Sequence, residues 1–198
     1  MKKDINNLLD FLHQAEKLKT VLRHSWLSSG RRESVAEHTW RIGIMAMVLA
    51  PYLKKKVNLE KVFKMLLIHD LPEVYAGDYF AWKAPLKNKY QNEKNGLNKI
   101  LKVLPQKSRK EMAGIWQEHE AWKTEESKFV RALDKLEALI QHSEGNIKHL
   151  NKTEIRLNLT YGLKHCEFDP FLKLFRQNLN RDFIKIYKKH KINKKLYA

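Results

Sequence analysis

Eleven consecutive residues, Ile68-His69-Asp70-Leu71-Pro72-Glu73-Val74-Tyr75-Ala76-Gly77-Asp78, hold four side chains suited to metal ligation or acid–base work: His69, Asp70, Glu73 and Asp78. His69 and Asp70 close an apolar run. At helical spacing Val62, Met65 and Leu66 share a face with His69, and Phe63, Leu66 and Leu67 share one with Asp70. Both polar residues therefore continue a core-facing stripe, where a carboxylate is costly unless a cation neutralises it. Taken alone, a His-Asp pair reads as a surface pair or a packed core histidine. Residues on other helices decide between these.

Two more polar residues fall on or beside inward stripes. His38 lies within Val35, His38, Ile42, Met45 and Leu49. Asp134 lies roughly 100° from Leu133, at the edge of the stripe Phe129, Val130, Leu133, Leu136 and Ile140. Separately these are a core histidine and a solvated acid. Together, His38, His69, Asp70 and Asp134 make two imidazoles and two carboxylates on facing helices, the way helical bundles build metal sites. That donor set suits one divalent ion with open positions, with Co, Mn, Fe, Zn and Mg all eligible. Closed structural zinc sites prefer cysteine, and the chain has one, Cys166, which reads as buried filler.

The elements that must position these residues are helices. Residues 4–19 are amphipathic, with Ile5, Leu8, Leu12, Ala15 and Leu18 on one face. Residues 20–33 read as a loop holding Arg23, His24, Trp26, Arg31 and Arg32. Ser34 and Glu37 form a capping box that opens a helix ending at Pro51. Asn58 caps the next helix, which ends in the His-Asp pair. Pro72 interrupts it, because the residue before a proline is pushed out of helical geometry, and Pro72 can itself begin a new turn carrying Glu73. Gly77 allows a tight turn that puts Asp78 in a loop. A weakly patterned helix spans about residues 85–104, interrupted by Asn95-Gly96. Ser108 and Glu111 suggest a second capping box. Residues 121–145 form the longest helix, stopped by Gly145-Asn146. Asp169-Pro170 opens a last helix from which a lysine-rich tail trails. No repeat, low-complexity segment or linker divides the chain. The expectation is all-α: one domain of about six or seven helices, with a core over 5–184 and a basic tail over 185–198.

Composition agrees. The chain has 198 residues, 43% of them hydrophobic, with few Gly and Pro, which suits one helical core and disfavours a turn-rich β fold. Lys+Arg of 39 against Asp+Glu of 22 gives +17. Such charge serves nucleic acid, an anionic membrane or a phosphate-bearing substrate. The lysines are spread out, as on a solvated surface, except in the tail. The single cysteine fits a reducing compartment. No signal-peptide pattern opens the sequence, and the longest apolar run is too short for a bilayer. A cytoplasmic location without membrane attachment is expected.

The spacing H…HD…D, spread over three helices, resembles the HD-domain metal-dependent phosphohydrolases. The resemblance extends through Leu18 to Arg23, Glu33-Ser34-Val35-Ala36-Glu37-His38, the stretch from His69 to Asp78, and Ala132-Leu133-Asp134-Lys135-Leu136-Glu137-Ala138. These segments look like the 5′-deoxynucleotidase subfamily. The resemblance implies an all-α homodimer, a divalent metal at His38, His69, Asp70 and Asp134, and hydrolysis of deoxynucleoside 5′-monophosphates. It implies catalytic carboxylates at Glu73 and Asp78 and a phosphate-reading arginine at Arg23.

Elementary chemistry runs the same way. A phosphate monoester dianion repels hydroxide, and a metal shields that charge and lowers the pKa of water towards ~7. Glu73 is assigned to position or deprotonate the water and Asp78 to protonate the leaving oxygen, with the roles exchangeable. Arg23 offers a planar fork to phosphate oxygens, and Lys83 adds charge. In characterised bacterial members a tryptophan follows the loop arginine and packs against the sugar. Here His24 holds that place and Trp26 comes two residues later, so sugar preference stays open. Two other readings remain: a different HD phosphohydrolase acting on nucleoside triphosphates or guanosine tetraphosphate, and a basic nucleic-acid-binding module. The sequence lacks a helix-turn-helix or zinc-finger signature for the last.

Overall fold

A computed structural model describes residues 2–78 and 88–197, with only the backbone of residues 2 and 3. The fold is helical. Its long helices are α1 (Lys2–Ala15), α2 (Val35–Leu49), α3 (Leu59–His69), α5 (Lys89–Leu101), α6 (Gln106–Ala121), α7 (Glu125–Glu144) and α10 (Pro170–Lys189). Three short ones are α4 (Glu73–Ala76), α8 (Lys152–Leu157) and α9 (Leu163–Cys166). The expected six or seven helices correspond to the long ones.

Segment 20–33 is not simply a loop. It contains strand β1 (Leu22–Trp26), which pairs antiparallel with β2 (Arg32–Ser34), with an irregular register between Leu22 and Trp26. The turn uses Gly30 at φ 89°, a value that glycine adopts without a Cβ clash.

Local signals explain most helix starts. Ser34 accepts a hydrogen bond from the Glu37 N–H while Glu37 reaches back to the Ser34 N–H, which completes the capping box of α2. Asn58 caps α3, Thr124 caps α7, and Asp169 caps α10 ahead of Pro170. Ser108 does not cap α6: that helix begins at Gln106 behind Pro105, whose fixed φ already suits the preceding turn.

Helix α7 is central. It packs on α2, α3, α6, α9, α10 and β1. Phe129, Val130, Leu133 and Leu136 on α7 meet Ile42 and Ala46 of α2, Val62 and Met65 of α3, and Leu172 and Phe183 of α10. Cys166 is buried in the same core. Tyr187 is also fully buried, so α10 stays in the core past residue 184, and Ile192, Leu196 and Tyr197 pack against it. A second cluster, Ile68, Leu71, Val74, Leu97, Ile100 and Trp116, holds α3, α4, α5 and α6 together. Gly96 permits this packing. A Cβ there would lie 2.5 Å from the Pro72 carbonyl oxygen, so the glycine that interrupts the helical pattern lets α5 approach α4. Helix α1 departs from its expected inward face: Ile5, Leu8 and Leu12 are exposed. No helix among the described residues is long and apolar enough to cross a membrane.

Candidate active site

Four sequence-nominated side chains converge from three helices. His38 comes from the buried face of α2, His69 from the last turn of α3, Asp70 from its C-cap, and Asp134 from the middle of α7. His38 Nε2 is 3.2 Å from Asp134 Oδ1 and 3.8 Å from Asp70 Oδ2. His69 Nε2 is 3.1 Å from Asp70 Oδ2. Ligating atoms of His38, His69 and Asp134 all lie within 4.8 Å of one another.

The other nitrogen of each ring is tied down. His69 Nδ1 donates to the Leu66 carbonyl at 2.6 Å, and His38 Nδ1 pairs with Glu137. With Nδ1 tied down, Nε2 is the ring atom left to face the carboxylates. His69 Nε2, Asp70 Oδ2 and Glu73 Oε2 are buried without hydrogen-bond partners among the described residues. Buried orphaned atoms of this kind are rare. Here His69 Nε2 and Asp70 Oδ2 are ligand-type atoms within the cluster of His38, His69 and Asp134, so the residues fit a divalent metal ion.

The charge pattern supports that fit. Burial pushes the Glu73 carboxyl well up, as do the neighbouring Asp70 and Asp78. Burial likewise raises Asp78, against the pull of Arg23. Against the cost of burial, His69 and His38 hold Asp70 low. Asp134 is held low against burial by Lys135 and His38. Burial and Arg23 both oppose a charged His38, yet Glu137 and Asp134 raise it to about 9. Asp70, Asp134, Glu73 and Asp78 repel one another at this centre, and a bound dication would offset that repulsion.

Arg23 is brought to the cluster. Its Nη1 lies 3.9 Å from Asp70 Oδ2, and its Nε donates to Glu33 Oε2 at 3.2 Å. His24 and Trp26 are engaged elsewhere: His24 Nε2 lies against buried Glu154 of α8, and Trp26 stacks on His149 with ring centroids 3.9 Å apart. Strand alternation is the reason, since neighbours along β1 point to opposite faces. Read as a loop, the segment gave no such separation. Lys83, the loop over 79–83 and the expected helix start near residue 85 lie outside the described residues.

Sequence reasoning passed over Glu33 and Glu137. Glu137 is fully buried and Glu33 nearly so. Burial, with Glu137 beside it, pushes the Glu33 carboxyl up to about 7 against the pull of Arg23. One signal was available: Glu137 follows Leu133 by four and Val130 by seven, which puts an acid on the core stripe of α7.

A helical frame around paired imidazoles and carboxylates defines a class of metal-dependent phosphohydrolase, and the chain belongs to the HD domain family, whose model matches residues 15–174. Within that family it is similar to 5′-deoxynucleotidase HDDC2. It is 35% identical to that of Homo sapiens over 70% of this chain and 68% of the relative. It is 36% identical to that of Dictyostelium discoideum over 90% of this chain and 99% of the relative. A solved structure of a predicted metal-dependent phosphohydrolase from Magnetospirillum magnetotacticum MS-1 superposes with TM-score 0.78 at 30% identity, covering 92% of this chain and 94% of that one.

Proposed function

We propose that the protein hydrolyses deoxynucleoside 5′-monophosphates to deoxynucleoside and inorganic phosphate. The observation that carries this is the convergence of His38, His69 and Asp134, with Asp70 against both imidazoles and Arg23 beside them. The relatives named 5′-deoxynucleotidase support the substrate class.

His38, His69, Asp70 and Asp134 would hold the ion, with Co²⁺ or Mn²⁺ the proposed working metals. When bound, the ion supplies charge shielding for the phosphate and acidifies water. Arg23, a planar fork held by Glu33, orients two non-bridging oxygens. Glu73 takes a proton from the attacking water as its oxygen bonds to phosphorus. Asp78 gives a proton to the 5′-oxygen as the phosphorus–oxygen bond breaks. Burial raises both carboxyls above their ordinary range, which favours a protonated acid at this site, and the two roles are exchangeable.

The protein is proposed to work as a homodimer in the cytoplasm. Trp40, Ile44, Met47 and Val48 of α2, Leu67 of α3, and Leu8 and Leu12 of α1 are exposed. Of these, Trp40, Ile44, Leu67 and Leu12 line an apolar cleft of about 1010 Å³. A cluster of exposed apolar side chains around one cleft supports reading it as an interaction surface.

The test is a panel of deoxynucleoside mono- and triphosphates, assayed with Co²⁺, Mn²⁺ or Mg²⁺ added to metal-stripped protein. Inorganic phosphate released from monophosphates is the expected result, abolished by Asp134→Ala. Pyrophosphate or triphosphate as product would instead indicate a different HD chemistry. No turnover of any monophosphate with any metal would sink the proposal.

A further inference from the structure

Helices α5, α6 and α7 line a polar cleft of about 310 Å³ that includes His69, Asp70 and Asp134 of the candidate ligand cluster. That volume lies in the range of small-molecule pockets. The basic groups of its lining are already paired. Lys89 Nζ is 3.4 Å from Glu93, Arg131 is 2.7 Å from Glu120, and Lys135 Nζ is 2.7 Å from Asp134.

His119 differs. It is 5% exposed and meets the His69 ring edge-on, with centroids 5.6 Å apart. Its Nδ1 lies 3.2 Å from Glu120 Oε1 but not in hydrogen-bond geometry, and its Nε2 has no partner among the described residues. A buried ring nitrogen left this way beside a cleft is a group waiting for a ligand atom.

We propose that this cleft receives the pentose of the nucleotide and that His119 Nε2 hydrogen-bonds a sugar hydroxyl, making His119 a specificity-determining residue. The inference rests on the nucleotidase activity proposed above. A hydroxyl both donates and accepts, so it satisfies Nε2 in either tautomer. A second anionic group suits the cleft less well, because Glu93 and Glu120 share its lining. A site built to bond a hydroxyl discriminates against the analogue that lacks it, since the buried partner is then left unpaired.

The experiment compares 2′-deoxyadenosine 5′-monophosphate with its 2′,3′-dideoxy analogue on metal-loaded protein. Wild type is expected to prefer the hydroxylated substrate in kcat/KM by at least about tenfold. His119→Phe keeps the ring and its packing, so it should raise KM for the deoxynucleotide by about tenfold and leave the dideoxynucleotide unchanged. His119→Gln should recover part of the preference. Both variants should retain wild-type metal content and melting temperature. Wild-type preference persisting in both variants overturns the inference and leaves the nucleotidase proposal standing. Wild-type protein inactive on every nucleotide overturns both.

Discussion

Glu137 holds His38 by its Nδ1 from 99 residues away in sequence, while Nε2 of the same ring faces Asp134 one helical turn back on α7. One helix thus supplies both a candidate metal ligand and the carboxylate that orients another. Such outer carboxylates fix the tautomer and raise the basicity of a ligating histidine.

Glu137→Ala is therefore expected to weaken Mn²⁺ binding by about 10–100-fold. The His38 Nδ1 left unpaired in the core should cost about 1–3 kcal/mol of stability. Calorimetric titration of metal-stripped protein and a urea melt measure the two effects separately. Unchanged metal affinity would show that His38 needs no such support.

Gly96→Ala replaces a poor helix former with the best one, yet it should destabilise. The added methyl meets the Pro72 carbonyl at 2.5 Å, and backbone on both sides must shift. A loss of about 1–3 kcal/mol is expected, as for overpacked cores. The urea midpoint should fall with an unchanged slope. Activity should fall too, because α4 carries Glu73.

Stability should decline below neutral pH, in part through His165. Burial and the nearby Lys135 and Arg131 push its pKa down to about 4, and its ring stacks on Trp122. The unfolded chain takes up a proton near pH 6.5, whereas the folded ring resists it. The stabilisation from this residue is complete above about pH 6.5 and is lost as pH falls towards 4. His165→Phe keeps the stacking surface, and its stability should vary less with pH between 7 and 4. Equal slopes for the two proteins would exclude a contribution from His165.

Trp40→Glu combined with Met47→Glu puts charge into the exposed apolar face of α2. Sedimentation should show a dimer for wild type and a monomer for the double variant, at unchanged helix content. A wild-type monomer at micromolar concentration would remove the dimer proposal.

Much of the frame is local and was legible for that reason. The Ser34–Glu37 capping box, the Asn58 cap and the Asp169-Pro170 start depend on residues within a few positions of one another. The apolar periodicity that placed His38, His69 and Asp134 near the core is likewise a property of single helices. Sequence did not reveal the hairpin at residues 22–34, because its strands are short and polar and are held by different helices, β1 on α7 and β2 on α2. Gly145 is an example: a Cβ there would meet the Trp26 carbonyl at 2.7 Å, so the residue read as a helix stop also makes room for β1.

Apolar periodicity, helix caps and the types and spacing of His38, His69-Asp70 and Asp134 pointed to a helical protein with the parts of a metal site, because ligand chemistry and helical period are both written locally. Tertiary structure decided which atoms face one another. It turned Arg23 to the cluster and His24 and Trp26 away from it, placed Glu137 behind His38, and left His119 Nε2 without a partner among the described residues beside the cleft. Those relations arise between helices whose contacts are set by the fit of whole faces, and no stretch of sequence carries that fit by itself.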